Sequence, residues 1–403
     1  MKFIHLSDLH IGKVIDKMRM LEDQEHILGE ILKITESEKP DAVLIAGDVY
    51  DRGVPPAEAV LLFDSFLTSL SKMRRADGSQ MQTFVISGNH DSPERLAFGR
   101  ALIESGGVHI SPVFNGCVEP FVMHDEFGEV LIYMLPFIKP AHVRDVLRGD
   151  DEAAESVVTY TDAIAKAVEM ISPEEGKRSV LLSHQFVVGA ARSDSETRSV
   201  GGLDEVDISV YEPFNYVALG HLHRPQSLST RGGNRNVVCY AGSPLKYSFS
   251  ENEQKSAAVV TIDGEGSVSV ERIPLVPLRD MRTVEGSFGE IMKRGEHSDD
   301  YIRVMLSDEH IPSHVYHDLR SLYPNIITTV MSSQRASMQS GNGLIGADVT
   351  AQQDELEIVG DFFSLINGRG LSQRETDIMK KIIEIARGSD RASEGTVNED
   401  AAD

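Results

Sequence analysis

The chain has 403 residues, 41% of them hydrophobic, and 39 Lys and Arg against 63 Asp and Glu give a formal net charge of −24. That length asks for two or three domains, and that apolar content is enough for a core, which excludes disorder as a description of the whole chain. The acidic balance excludes a protein that holds nucleic acid through a general basic surface, but not a nuclease, because divalent ions and a partner subunit can add positive charge.

Apolar runs predict strands at 3–6, 42–46, 83–86, 130–134, 179–182, 216–219, 237–240 and 257–262. Between the early strands, Ile27, Ile31 and Ile34 fall at helical spacing, and so do Leu62, Phe66 and Leu70 after the Pro55-Pro56 helix start. Early strands alternate with helices and later ones follow each other through turns. The pattern predicts an α/β (α+β) protein with two packed sheets and helices outside, over residues 1–277. Pro274 and Pro277 mark a change, and 278–333 reads as a small α+β unit with a strand at 301–306, a helix near 313–322 and a strand at 325–330. Residues 334–350, rich in Ser, Gly and Gln, read as a linker.

A helix pair follows at 351–388. Leu356, Val359, Phe363 and Ile366 form the first stripe, which Asn367-Gly368 stops, and Ile378, Ile382 and Ile385 form the second, behind a capping box of Ser372 and Glu375. So small a pair cannot bury both stripes by itself. It either packs back on the body or grips a partner. The acidic tail, 389–403, reads as disordered. Cys117 and Cys239 lie in apolar or strand-like context without a CxxC, and are expected to be two reduced core thiols. The first residues hold no basic region followed by an apolar run, and no stretch has the length of a membrane span. The expectation is a soluble cytoplasmic protein.

Five short motifs lie at or near the ends of predicted strands: Asp8-Leu9-His10, the run from Gly47-Asp48 to Asp51-Arg52, Gly88-Asn89-His90-Asp91, Ser183-His184 and Gly220-His221-Leu222-His223. Strand ends can hold several ligands rigidly around one point. Asp8 and His10 at i, i+2 in extended backbone would face the same side and chelate one ion. A carboxylate at Asp48 can bridge two ions, Asn89 offers an amide oxygen, and His184, His221 and His223 offer imidazoles. Gly47, Gly88 and Gly220 each precede a ligand, where tight or positive-φ backbone is expected. Nitrogen and oxygen donors without a thiolate suit Mn²⁺, Fe²⁺ or Zn²⁺ better than Mg²⁺ or Ca²⁺. Two such ions, about 3.5–4 Å apart, would activate water against a phosphate ester. His90, beside Asn89, could point at the leaving group, donate a proton or stabilise the pentavalent phosphorus. Any one of these histidines alone is more often structural, but five motifs in order are hard to obtain by chance. Arg52 could bind a phosphate bidentately, or Asp51 and Arg52 merely order their loop, and loop order is the favoured reading.

The set SDLHIG, GDVYDRG, GNHDS, LLSHQ and GHLHRPQ, with YAGSPLKYSFSE downstream, resembles the calcineurin-like metallophosphoesterases, and within them the SbcD family of bacterial double-strand-break repair nuclease subunits. The resemblance implies a first metal on Asp8, His10, Asp48 and His223, and a second on Asp48, Asn89, His184 and His221. It also implies His90 as the catalytic histidine and Mn²⁺ as the metal. Some relatives carry a second histidine where this chain has Asp51, which leaves that histidine's role in doubt here. The family cuts DNA as a 3′-to-5′ exonuclease on duplex ends and as an endonuclease on single strands or hairpins. The unit at 278–333 would cap the site and touch DNA, and the helix pair would bind an SbcC-like, SMC-type ATPase. The helix carrying Leu62, Phe66 and Leu70 would lie near a homodimer interface, although its stripe equally suits plain core. A phosphatase or small phosphodiesterase of the same superfamily, and a scaffold that has lost its chemistry, are the competing readings.

Overall fold

The computed structural model describes residues 1–98, 100–174, 176–193, 205–228, 230–308, 314–331, 372, 374–376 and 378. The described residues fall into two compact units, one of 1–284 with 296–303 and 316–328, the other including 285–295, 304–308, 314–315 and 329–331.

The first unit is a sandwich of two six-stranded sheets. Runs such as Ala42–Ala46, buried at every position, leave no solvent face, so the strands take helices on one side and the other sheet on the opposite side. In the first sheet Lys2–Leu6, Ala42–Ala46, Gln82–Ile86 and Val108–Ser111 run parallel, and Ser256–Ile262 and Val268–Pro274 join antiparallel beside Lys2–Leu6. In the second, Val237–Tyr240, Tyr216–Gly220, Arg178–His184 and Gly128–Met134 run parallel, with antiparallel Gln226–Leu228 and Phe121–Asp125 at the edges.

Side-chain alternation sorts three cores. Phe3, Leu44, Phe84, Ile132, Leu182, Tyr216 and Val260 meet between the sheets. Ile4, Val43, Ile45 and Val85 point outward to helices Leu21–Glu38 and Ala57–Lys72. Leu131, Leu181, Val217 and Val238 do the same under helix Tyr160–Ile171, which a Thr159–Asp162 capping box opens. Within helix Ala57–Lys72, Phe66 and Leu70 are buried and Leu62 packs beside them, so the predicted stripe is core, while Val60 and Leu61 are exposed. Cys239 is buried between the sheets, but Cys117 is exposed, so only one of the two expected core thiols is in the core.

After the sandwich, Met281–Gly286, Tyr301–Leu306 and Ile326–Met331 form a three-stranded sheet in chain order. Helix Phe288–Arg294 opens on a Ser287–Glu290 capping box, and Val315–Leu322 forms a second helix. The linker at 334–350, nearly all of the helix pair at 351–388 and the tail at 389–403 lie outside the described residues. At Ser372 and Glu375 the two hydrogen bonds of a capping box are present: Glu375 Oε2 accepts from the Ser372 N–H at 2.8 Å, and Ser372 Oγ from the Glu375 N–H at 3.4 Å. Among the described residues no helix is long and apolar enough to cross a membrane.

Candidate metal centre

All five motifs meet at one end of the sandwich, at the carboxyl ends of parallel strands from both sheets. Asp8 follows Lys2–Leu6, Asp48 follows Ala42–Ala46, and Asn89 follows Gln82–Ile86. From the second sheet, His184 ends Arg178–His184, and His221 and His223 follow Tyr216–Gly220. This is the end at which parallel sheets bind ligands, because the loops there fan out from fixed strands.

The loops turn by a different device from the one expected. Asp8 and His10 are not extended but left-handed, at φ 53° and 44°, and Asp48 and His221 share the positive φ, at 50° and 101°. Such backbone costs a non-glycine residue free energy and persists only where its surroundings over-determine it. Gly47 is left-handed as expected, at φ 86°, but Gly88 and Gly220 are not. They are glycine for lack of room: a Cβ on Gly88 would run into the Asp48 carboxylate, and one on Gly220 into the Ala46 carbonyl.

Two overlapping groups result. On one side His10 Nε2 lies 3.0 Å from His223 Nε2, with Asp8 beside them. On the other, Asn89 Oδ1 lies 3.0 Å from His184 Nε2 and 2.9 Å from His221 Nδ1. Asp48 reaches both: its Oδ2 is 3.3 Å from His184 Nε2 and 3.7 Å from His10 Nε2. Backbone contacts lock the two sheets together here. His184 Nδ1 donates to the Ala46 carbonyl at 2.7 Å, and Asp8 Oδ1 accepts the His221 N–H at 3.0 Å.

Burial pushes the Asp8 carboxyl up to about 6 and the His221 imidazole down to about 3. Burial would also raise Asp48, but His184, His10 and His90 outweigh it and hold that carboxyl well below its ordinary range. His184 is the counterpart: burial lowers its basicity, yet Asp48 and Asp8 carry it up to about 9. The residues fit a divalent ion. His184 has committed Nδ1 to a carbonyl, so its Nε2 faces two oxygens, and either a proton or a cation must separate them. A metal would displace that proton.

His90 is half-buried, its Nδ1 donates to the Asp51 carbonyl at 2.9 Å, and its ring packs edge-on against His10 at 4.9 Å between centroids. The Asp51 carboxylate pairs with Lys13 Nζ at 2.8 Å and stands 3.7 Å from His10 Nδ1, while Arg52 is exposed. The Asp51 main chain thus holds His90, and its carboxylate forms with His10 and His90 a further group whose donor atoms lie close enough to hold an ion.

Three supports were not picked out from the sequence. Asp91, quoted within its motif but given no role, accepts the N–H groups of Gly88, Tyr50 and Val49 at 2.9, 2.9 and 3.1 Å, tying two ligand loops together. Gln24, buried in helix Leu21–Glu38, accepts from the Gly12 N–H at 2.9 Å and donates to the His10 carbonyl at 2.7 Å. Glu251 lies behind His223, with Oε1 3.4 Å from Nδ1. Each is an ordinary polar residue in sequence, and only its burial marks it. Gln24→Leu would orphan two loop groups, and the expected cost is about 2–4 kcal/mol in urea unfolding measured with EDTA present.

Residues 1–225 match the model of the calcineurin-like phosphoesterase family. The chain belongs to that family. The metallophosphoesterase fold implies a divalent metal, which agrees with the donor groups above. Residues 277–365 match a second family, SbcD_C, described as the type 5 capsule protein repressor C-terminal domain. The chain is 29% identical over 391 residues to the SbcD component of the SbcCD nuclease of Staphylococcus epidermidis, covering 95% of this chain and 98% of that one. Among solved structures, GAP50, the anchor in the inner membrane complex of Plasmodium, aligns with a TM-score of 0.44 at 9% identity, over 68% of this chain and 84% of that one. A dimetal phosphatase from Danio rerio aligns at 0.37 with 10% identity, over 69% and 98%.

Proposed function

We propose that this phosphoesterase is the nuclease subunit of an SbcC–SbcD type complex, which hydrolyses DNA phosphodiester bonds with two Mn²⁺ ions during repair and recombination in the cytoplasm. The observation that carries the reading is the alignment with the Staphylococcus nuclease subunit across nearly the full length of both chains. A minimal phosphatase would need only the sandwich, whereas this likeness continues through the region after it.

Asp8, His10, Asp48 and His223 would hold one ion, and Asp48, Asn89, His184 and His221 would hold the other. When bound, the ions polarise a phosphate and supply hydroxide at neutral pH. His90, anchored by Nδ1 on the Asp51 carbonyl, turns Nε2 to the scissile phosphate and protonates the leaving oxygen. The substrates are duplex ends, cut as a 3′-to-5′ exonuclease, and single strands or hairpins, cut internally. Residues 278–333 cap the site and touch DNA, residues 351–388 bind the ATPase, and the subunit pairs as a homodimer.

The partner accounts for the charge. A chain at −24 has little long-range pull on DNA, so an ATPase that clamps the duplex supplies affinity and leaves cutting to the metal centre. The test is full-length protein with Mn²⁺ on linear duplex DNA, beside p-nitrophenyl phosphate. Loss of DNA that EDTA stops is expected. Clearance of p-nitrophenyl phosphate alone would make the chain a phosphatase, and inertness toward both would make it a scaffold.

A further inference from the structure

The imidazoles of the site differ in what stands behind them. His184 gives its Nδ1 proton to a backbone carbonyl, whereas His223 turns Nδ1 to the carboxylate of Glu251 at 3.4 Å. Glu251 is 1% exposed, and its second oxygen lies 2.5 Å from Nζ of Lys255, itself 4% exposed. Lys255 also donates to the His223 carbonyl at 2.8 Å and to Ser243 Oγ at 3.1 Å. The Tyr247 N–H donates to Glu251 Oε1 at 3.4 Å.

A buried carboxylate–ammonium pair is costly to desolvate, and apolar residues of the same volume often serve a fold as well or better. What distinguishes this pair is its aim. Both charges address a single metal-ligand residue, the carboxylate its ring and the ammonium its main chain. A carboxylate on Nδ1–H fixes the tautomer, holds the ring plane and makes Nε2 a stronger donor. The clamp on the carbonyl fixes the His223 main chain, and with it the ring beside His10.

We propose that Glu251 and Lys255 are positioning residues that raise metal affinity at one half of the centre only, the half made by Asp8, His10 and His223. The two ions then bind in steps of unequal affinity. This inference rests on the two-metal reading above.

The test is calorimetric titration of full-length protein with Mn²⁺, wild type against the double variant Glu251→Gln/Lys255→Met, with a thermal melt to establish folding. The double variant removes the Glu251 and Lys255 charges together, and Glu253, 3.7 Å from Lys255, keeps its other ion pair with Arg224. Wild type should show two steps, and in the variant one step should weaken by about 10–100-fold while the other stays within about threefold. His223→Ala should weaken the same step. If the double variant has no melting transition, Glu251→Asp, which keeps the charge pair but withdraws the carboxylate from His223, carries the same expectation. A merely structural role would lower the melting temperature and leave the steps together. Two unchanged steps, or two equally weakened ones, in the variant that folds would overturn the inference. A wild-type chain with fewer than two Mn²⁺ sites would contradict the two-metal reading itself, and this inference with it.

Discussion

Asp48→Ala is expected to lower Mn²⁺-dependent hydrolysis by about 10³-fold or more, because bound ions contribute several kcal/mol to the barrier and each 1.36 kcal/mol is tenfold. Asp48 is the side chain that reaches both halves of the centre, with Oδ2 3.3 Å from His184 Nε2 and 3.7 Å from His10 Nε2. Its other oxygen accepts the His90 N–H at 2.8 Å, so the same carboxylate also sets the catalytic loop. Removing it withdraws the shared ligand and leaves His184, held near 9 by Asp48 and Asp8 against its burial, without its main counter-charge. Asp48→Asn keeps the shape and the contact to His90 but not the charge, and should lose nearly as much. Turnover assays of both variants at saturating Mn²⁺ check this. Activity in Asp48→Ala within tenfold of wild type would take Asp48 out of the centre.

His90→Ala should cost about 10²–10⁴-fold in hydrolysis, the usual range for a positioned general acid. It should leave Mn²⁺ binding intact. The difference from Asp48 follows from geometry: His90 spends Nδ1 on the Asp51 carbonyl, while Asp48 Oδ2 stands within reach of both His184 and His10. Turnover and Mn²⁺ titration on the same preparation separate the two variants. Full cleavage by His90→Ala would remove the residue from the mechanism. Asp51→Ala keeps the carbonyl that holds His90, so its effect should be far smaller than either.

The central strands were legible because they are buried on both faces: Ala42–Ala46 and Val237–Tyr240 fall where their apolar runs put them. The strands that escaped are edge or alternating ones. Val268–Pro274 mixes Glu271 and Arg272 among its apolar residues, and Phe121–Asp125 ends in His124-Asp125, so neither makes a continuous apolar run. At the site, residue type and strand-end position picked out the seven side chains that lie close together, Asp8, His10, Asp48, Asn89, His184, His221 and His223. The backbone route was not. Extended geometry for Asp8 and His10 was the natural guess from an i, i+2 spacing, and the left-handed turns at both are set by tertiary contacts, such as the Asp8 N–H donating to the Gly47 carbonyl at 3.1 Å. Gln24, Asp91 and Glu251 stayed hidden for a related reason: the contacts that tie them to the site, Gln24 to Gly12, Asp91 to Val49 and Glu251 to His223, span 12, 42 and 28 residues of chain.

The most direct measurement of the two-metal centre is a crystal of the full chain soaked in Mn²⁺, with anomalous difference maps collected for manganese. The expected result is two peaks about 3.5–4 Å apart. One should touch Asp8, His10 and His223, the other Asn89, His184 and His221, and both should touch Asp48. A single peak, or peaks away from these seven residues, would contradict the account.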